Sequence, residues 1–259
     1  MIEPRRVHPD ITVLPTFHDL PGIGVLTINS FVLAAEQPLI VDTGTANDSD
    51  RMVPAIVEAV GGGGPRWLWM THTDADHIGS LHHLLDLFPE LTLVTNYTGL
   101  VKLSTHTPVA VDRVRLLNPG ESLGLGDRTI TAARPPRFDA PETTGFHDPV
   151  SRALFSSDCL GAILPAGVHD LIEVTHDELL EAQTLWTAID TPWVAKVDRG
   201  MLAGELDAIR DLAPSMILIG HLPATLGIVE RQLDGVRAAP DGEPFVDHDH
   251  ASSMSMIGR

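Results

Sequence analysis

Apolar residues open the chain in short β-rich runs at 11–14, 25–35 and 38–41, with a polar break at Asn29 and Ser30 and turn residues at Pro21 and Gly22. This pattern predicts a sheet of antiparallel hairpins. The spacing then turns helical. Asp48 or Ser49 can cap a helix reaching Val60, and the glycines at 61–64 with Pro65 end it, because neither residue continues a helix cheaply. A buried strand at 67–70 leads into the polar loop Thr71-His72-Thr73-Asp74-Ala75-Asp76-His77, and apolar spacing over 78–88 predicts a helix after it. Further on, 91–94 reads as a strand, and 114–155 alternates strand-like runs with turns at Asn118-Pro119-Gly120, Gly126-Asp127 and 134–137. Thr175 caps a predicted helix over 176–189, Asp198 caps another reaching Leu212, and a strand at 216–219 runs into Gly220-His221.

Composition narrows the function classes. The 259 residues are 43% hydrophobic and 20% charged, ordinary globular usage, and no internal linker or short repeat divides them. One domain over 1–240 is expected, followed by a flexible tail at 241–259, where Pro, Gly, Asp, His and Ser replace apolar periodicity. Seventeen basic against 35 acidic residues give a net charge of −18, which repels phosphate backbones and anionic headgroups, so neither nucleic acid nor membrane is an expected partner. Cys159 is the single cysteine: no intrachain disulfide or thiolate-rich zinc site can form, and beside Asp158 it reads as packing. With no leader-like start and no spanning stretch, the sequence predicts a cytoplasmic protein, and it leaves a homodimer open.

The chemistry concentrates in the loop. His72 and Asp74, two apart in an extended segment, project to one side and can share a cation, while Asp76 and His77 at the helix start can turn toward a second. The plain alternative makes Asp76 a helix cap and the histidines surface residues.

The loop resembles the His-x-His-x-Asp-His signature of the metallo-β-lactamase superfamily, with Asp74 in place of the second histidine. A carboxylate there is similar to the branch of flavodiiron and oxygen-binding di-iron proteins, whose loop is His-x-Glu-x-Asp-His. The resemblance implies an αββα sandwich, an α/β fold of two mixed sheets with helices outside. It also implies a bridging aspartate, which Phe155-Ser156-Ser157-Asp158 supplies, and a last histidine, which Ile219-Gly220-His221 supplies. The family's remaining histidine has no counterpart. Asp139-Ala140-Pro141-Glu142-Thr143 resembles the branch's His-x-Pro-Asp-Ser segment and puts Asp139 in that place, against the alternative of a turn-capping loop residue. Asp42 resembles the family aspartate that orients the loop without touching metal.

The implied scheme gives one metal His72, Asp74 and Asp139, the other Asp76, His77 and His221, and makes Asp158 the bridge, with Asp76 and His77 also the candidate catalytic residues. The cofactor is then two divalent ions of iron, zinc or manganese. Two such ions can generate a hydroxide for hydrolysis of a small-molecule substrate, and this is the preferred expectation. Iron would instead suit binding or reduction of dioxygen or NO. The sequence leaves no room for the flavodoxin module that flavodiiron proteins carry, which ranks a di-iron oxidoreductase second and a non-catalytic metal or oxygen sensor third. The apolar loop at 159–174 is expected to overhang the site and shape access.

Overall fold

Strands β2 (Ile11–Leu20) and β3 (Gly24–Leu33) pair antiparallel along their whole length, from Ile11 opposite Leu33 to Leu20 opposite Gly24. The structure, a computed structural model, describes residues 2–257. Asn29 and Ser30 therefore lie inside a continuous strand. Around this hairpin β1 (Arg5–His8) joins β2, and β4 (Leu39–Val41), β5 (Trp67–Trp69), β6 (Thr92–Thr95) and β7 (Val114–Leu116) follow β3 in order. From β4 onward the pairing is parallel. The second sheet has five strands in the order β13 (Met216–Leu218), β11 (Ala153–Phe155), β10 (Gly145–Asp148), β9 (Thr129–Ala133) and β8 (Ser122–Gly124).

Period-2 alternation sets the layers. Phe31, Leu33, Leu39, Val41, Trp69 and Val94 of the first sheet meet Ile130, Phe146, Phe155, Met216 and Leu218 of the second in one core. Their neighbours Val32, Ile40, Leu68 and Leu93 face the opposite way, toward Met52, Ile56, Leu81, Leu84 and Leu103. Those residues belong to helices α1 (Ser49–Val60), α2 (Leu81–Leu87) and α3 (Tyr97–His106). On the far side Leu154 and Ile217 meet Leu179, Leu206 and Leu233 of helices α4 (His176–Asp190), α5 (Arg199–Asp211) and α6 (Val229–Ala238). The result is the four-layered αββα sandwich that the loop's resemblance implies.

Two expectations change. Helix α2 starts at Leu81 rather than at 78, because Gly79 donates its N–H to the Gly44 carbonyl at 2.8 Å and sits so close to the backbone of Thr45 and Ala46 that a side chain would collide. The loop at 159–174 does not simply overhang the site. Strand β12 (Ile163–Leu164) pairs with β3 opposite Leu26 and Val25, and Cys159, Leu160, Ala162 and Leu171 fill the core under α4 to α6. Within the stretch read as a tail, helix α7 (His250–Ile257) brings the Met256 sulfur against Gly22.

Candidate metal centre

Four loops converge because four strands end at the same edge. In the first sheet the parallel neighbours β4 and β5 run into Asp42 and His72, and in the second the parallel neighbours β11 and β13 run into Asp158 and His221. The carboxyl ends of parallel strands are where α/β folds open their sites. The sheets are tied across this edge by backbone: Thr144 N–H donates to the Thr71 carbonyl at 2.8 Å, and Asn29 N–H to the Gly220 carbonyl at 2.9 Å.

All seven predicted residues come together here. Asp158 places its carboxylate 3.5 Å from His72 Nε2, 3.2 Å from His77 Nε2 and 3.1 Å from His221 Nε2. Asp76 lies 3.4 Å from His221 Nε2 and 3.7 Å from His77 Nε2, while Asp139 and Asp74 lie 3.9 and 4.0 Å from His72 Nε2. The histidines and Asp158 are buried; Asp139 and Asp76 are partly open, and the Asp74 side chain is 53% exposed.

Each imidazole is locked by its other nitrogen. His77 Nδ1 donates to Asp42 Oδ2 at 2.9 Å and His221 Nδ1 to the Thr27 carbonyl at 2.8 Å, since neither partner can donate. The Thr71 hydroxyl gives its own hydrogen to Asp42, so it accepts from His72 Nδ1, 3.1 Å away. All three rings thus turn Nε2 toward carboxylates: His221 Nε2 meets Asp158 Oδ2 at 3.1 Å, and His72 Nε2, His77 Nε2 and Asp158 Oδ1 are buried without a hydrogen-bond partner. Lone pairs facing carboxylates repel unless a positive charge lies between them.

Without a metal, protons are the available positive charge. Burial would lower the His77 imidazole, but Asp158, Asp42 and Asp76 outweigh it and hold it well above the usual range. His221 is raised against the same burial by Asp158 and Asp76. Burial would raise Asp158, yet His221, His77 and His72 hold it well below the carboxylate range. Asp74 moves up, through burial and the nearby charges of Asp139 and Asp158. The donor set fits cations: His72, Asp74 and Asp139 could hold one, and Asp76, His77 and His221 another, each trio's ligand atoms lying within 4.8 Å of one another.

Several residues around the cluster carry no motif. Asn29 is the polar break in the second predicted strand, and its Nδ2 donates to the carbonyls of Ile219 and Leu222 at 2.9 and 2.7 Å, fixing the His221 turn. Trp186 packs against the His221 ring, tilted to it with centroids 4.7 Å apart, and donates Nε1 to the Asp158 carbonyl at 3.1 Å. Buried Arg137 donates to that carbonyl at 3.3 Å and pairs with Asp190 at 2.7 Å. Glu142 accepts from Thr73 at 2.7 Å and from Lys102 at 2.6 Å, binding the Asp139 segment to the His72 loop. Only the out-of-place polarity of Asn29 and Arg137 could have signalled these roles.

Residues 26–218 match a family profile described as ODP family beta lactamase. The putative diflavin flavoprotein A 1 of Thermosynechococcus vestitus is 29% identical over 52% of this chain and 24% of its own length. The nitric oxide reductase of Moorella thermoacetica is 20% identical over 55% of this chain and 36% of its own. Among solved structures, rubredoxin oxygen:oxidoreductase from Desulfovibrio gigas superposes with a TM-score of 0.79 at 19% identity, covering 92% of this chain and 61% of that one. The chain therefore spans less than two thirds of each of these relatives.

Proposed function

The chain belongs to the ODP family of beta-lactamase-fold proteins, within the flavodiiron branch, and from that premise we propose that it is a di-iron oxidoreductase acting on dioxygen or nitric oxide. The observation that carries a binuclear site is the convergence of three buried Nε2 positions on four aspartates, with Asp158 reaching all three rings. His72, Asp74 and Asp139 would hold one ion, Asp76, His77 and His221 the other, and Asp158 would bridge them. The names of the relatives, an oxygen oxidoreductase and a nitric oxide reductase, support redox chemistry over the hydrolysis preferred from the sequence, and they lend zinc no support.

Bound iron supplies the redox couple that reduction of either gas needs. The protein supplies the rest. Asp42 and the Thr27 carbonyl keep the His77 and His221 rings aimed with Nε2 free, and Glu142 holds Thr73 so that His72 and Asp74 stay on one side of the loop. Asp74 and Asp76 form the solvent-facing side, where a small gas and the protons its reduction consumes can enter. Electrons would come from a redox donor outside this metal-binding domain.

Protein purified without chelators and reduced chemically should contain about two irons per chain and consume dioxygen or nitric oxide in a closed electrode cell. Two tightly held zinc ions, ester or lactam hydrolysis and no gas consumption would overturn the assignment.

A further inference from the structure

The ligand set does not divide evenly. One trio, Asp76, His77 and His221, offers two imidazoles and one carboxylate, and both rings are at most 1% exposed. The other, His72, Asp74 and Asp139, offers one imidazole and two carboxylates, and its Asp74 is 53% exposed. Asp158 is shared, so it does not offset the difference.

The supporting groups lean the same way. His77 is oriented by the Asp42 carboxylate and His221 by a backbone carbonyl, partners that are fixed and that raise the basicity of the metal-facing nitrogen. His72 is oriented only by the Thr71 and Ser157 hydroxyls, at 3.1 and 3.2 Å, which are weaker acceptors. The Asp139 carboxylate is steadied by the Thr143 hydroxyl at 3.2 Å. Yet His72 Nε2 is buried and unpartnered, so this half too is built to face a cation.

We infer that the two positions are unequal: the buried, nitrogen-rich half takes a divalent ion first and holds it, and the open, carboxylate-rich half takes its ion second, exchanges it, and accepts a harder ion such as manganese(II) more readily than the first half does. Imidazole suits zinc, iron and nickel, while carboxylate and water suit manganese and magnesium, and a half-exposed ligand must be ordered when the ion arrives. The inference rests on the binuclear reading of the site.

Titration of the metal-free full chain with zinc(II) against a chromophoric chelator tests it. Two steps should appear, separated by at least the roughly tenfold that loss of an outer-shell partner costs a metal site. After one equivalent of zinc, added manganese(II) should bind once per chain, give the paramagnetic resonance spectrum of an isolated ion, and leave first on treatment with EDTA. Asp139→His should close the gap between the zinc steps by raising the second. Two zinc ions of equal affinity, with manganese unable to enter the half-loaded protein, overturn the inference and leave the binuclear site standing. One ion or none at saturation overturns the binuclear reading itself.

Discussion

Asp42 Oδ2 lies 2.9 Å from His77 Nδ1, and the same carboxylate accepts the Thr71 N–H and hydroxyl, each at 2.8 Å. One buried side chain thus fixes both ends of the ligand loop, from a backbone position with φ at 54° that few residues other than glycine, asparagine and aspartate adopt readily. Asp42→Asn keeps the shape and tolerates the backbone, but its Nδ2 cannot accept from Thr71. We expect roughly 10- to 100-fold weaker metal binding by equilibrium dialysis, with the fold retained by circular dichroism. Unchanged affinity would remove Asp42 from the orienting role.

Asp158 touches all three rings, so Asp158→Ala should release or scramble both ions, whereas Asp139→Ala should weaken one. Metal counts per chain by elemental analysis separate the two. Full occupancy in Asp158→Ala would end its bridging role, and full occupancy in Asp139→Ala would return that residue to the loop.

The metal-free protein should show an inverted pH response. His77 and His221 are raised above the ordinary histidine value of 6.5, so the stability they contribute is complete below about 6.5 and is lost as pH rises through their folded values. Asp158 is lowered from 3.8, so its contribution is present above that value and is lost as pH falls through the folded one. Thermal melts in chelator should therefore decline above neutrality. Melts with metal should hold or improve there, since each proton lost from an Nε2 frees a ligand. A metal-free melting temperature that climbs from pH 6 to 9 would contradict the charge pattern described.

Burial pushes the Asp190 carboxyl up to about 7 even with the Arg137 guanidinium beside it. Arg137→Ala should destabilise the fold by about 3–5 kcal/mol in denaturant titration, the usual effect of breaking a buried pair from one side. A change under 1 kcal/mol would mean that Asp190 takes up a proton and the pocket closes without loss.

The ligand loop, Asp158 and His221 were legible because each follows a short apolar strand, where period and polarity change together. The αββα layering came through the resemblance that these motifs carry. What stayed hidden was long in range or weak in pattern. Asn29 acts on carbonyls 190 and 193 residues away, so its polarity looked like a strand break. Helix α3 buries only Gly99 and Leu103, too little to mark an apolar stripe, and α6 sets Val229, Leu233 and Val236 at helical spacing but completes its buried face with Gln232 and Gly235. The loop at 159–174 misled for the opposite reason: its apolar residues fill the core.

Cys159 follows Asp158 directly, and burial pushes its thiol up to about 11. The sulfur is therefore neutral, out of solvent, and a poor nucleophile at any physiological pH. Alkylating reagents should pass over the native chain and mark it only once the end of β11 has opened. Because no other cysteine competes for label, the rate of thiol modification becomes a clock for local unfolding at the bridging residue, readable by mass spectrometry in a chain otherwise left as it is.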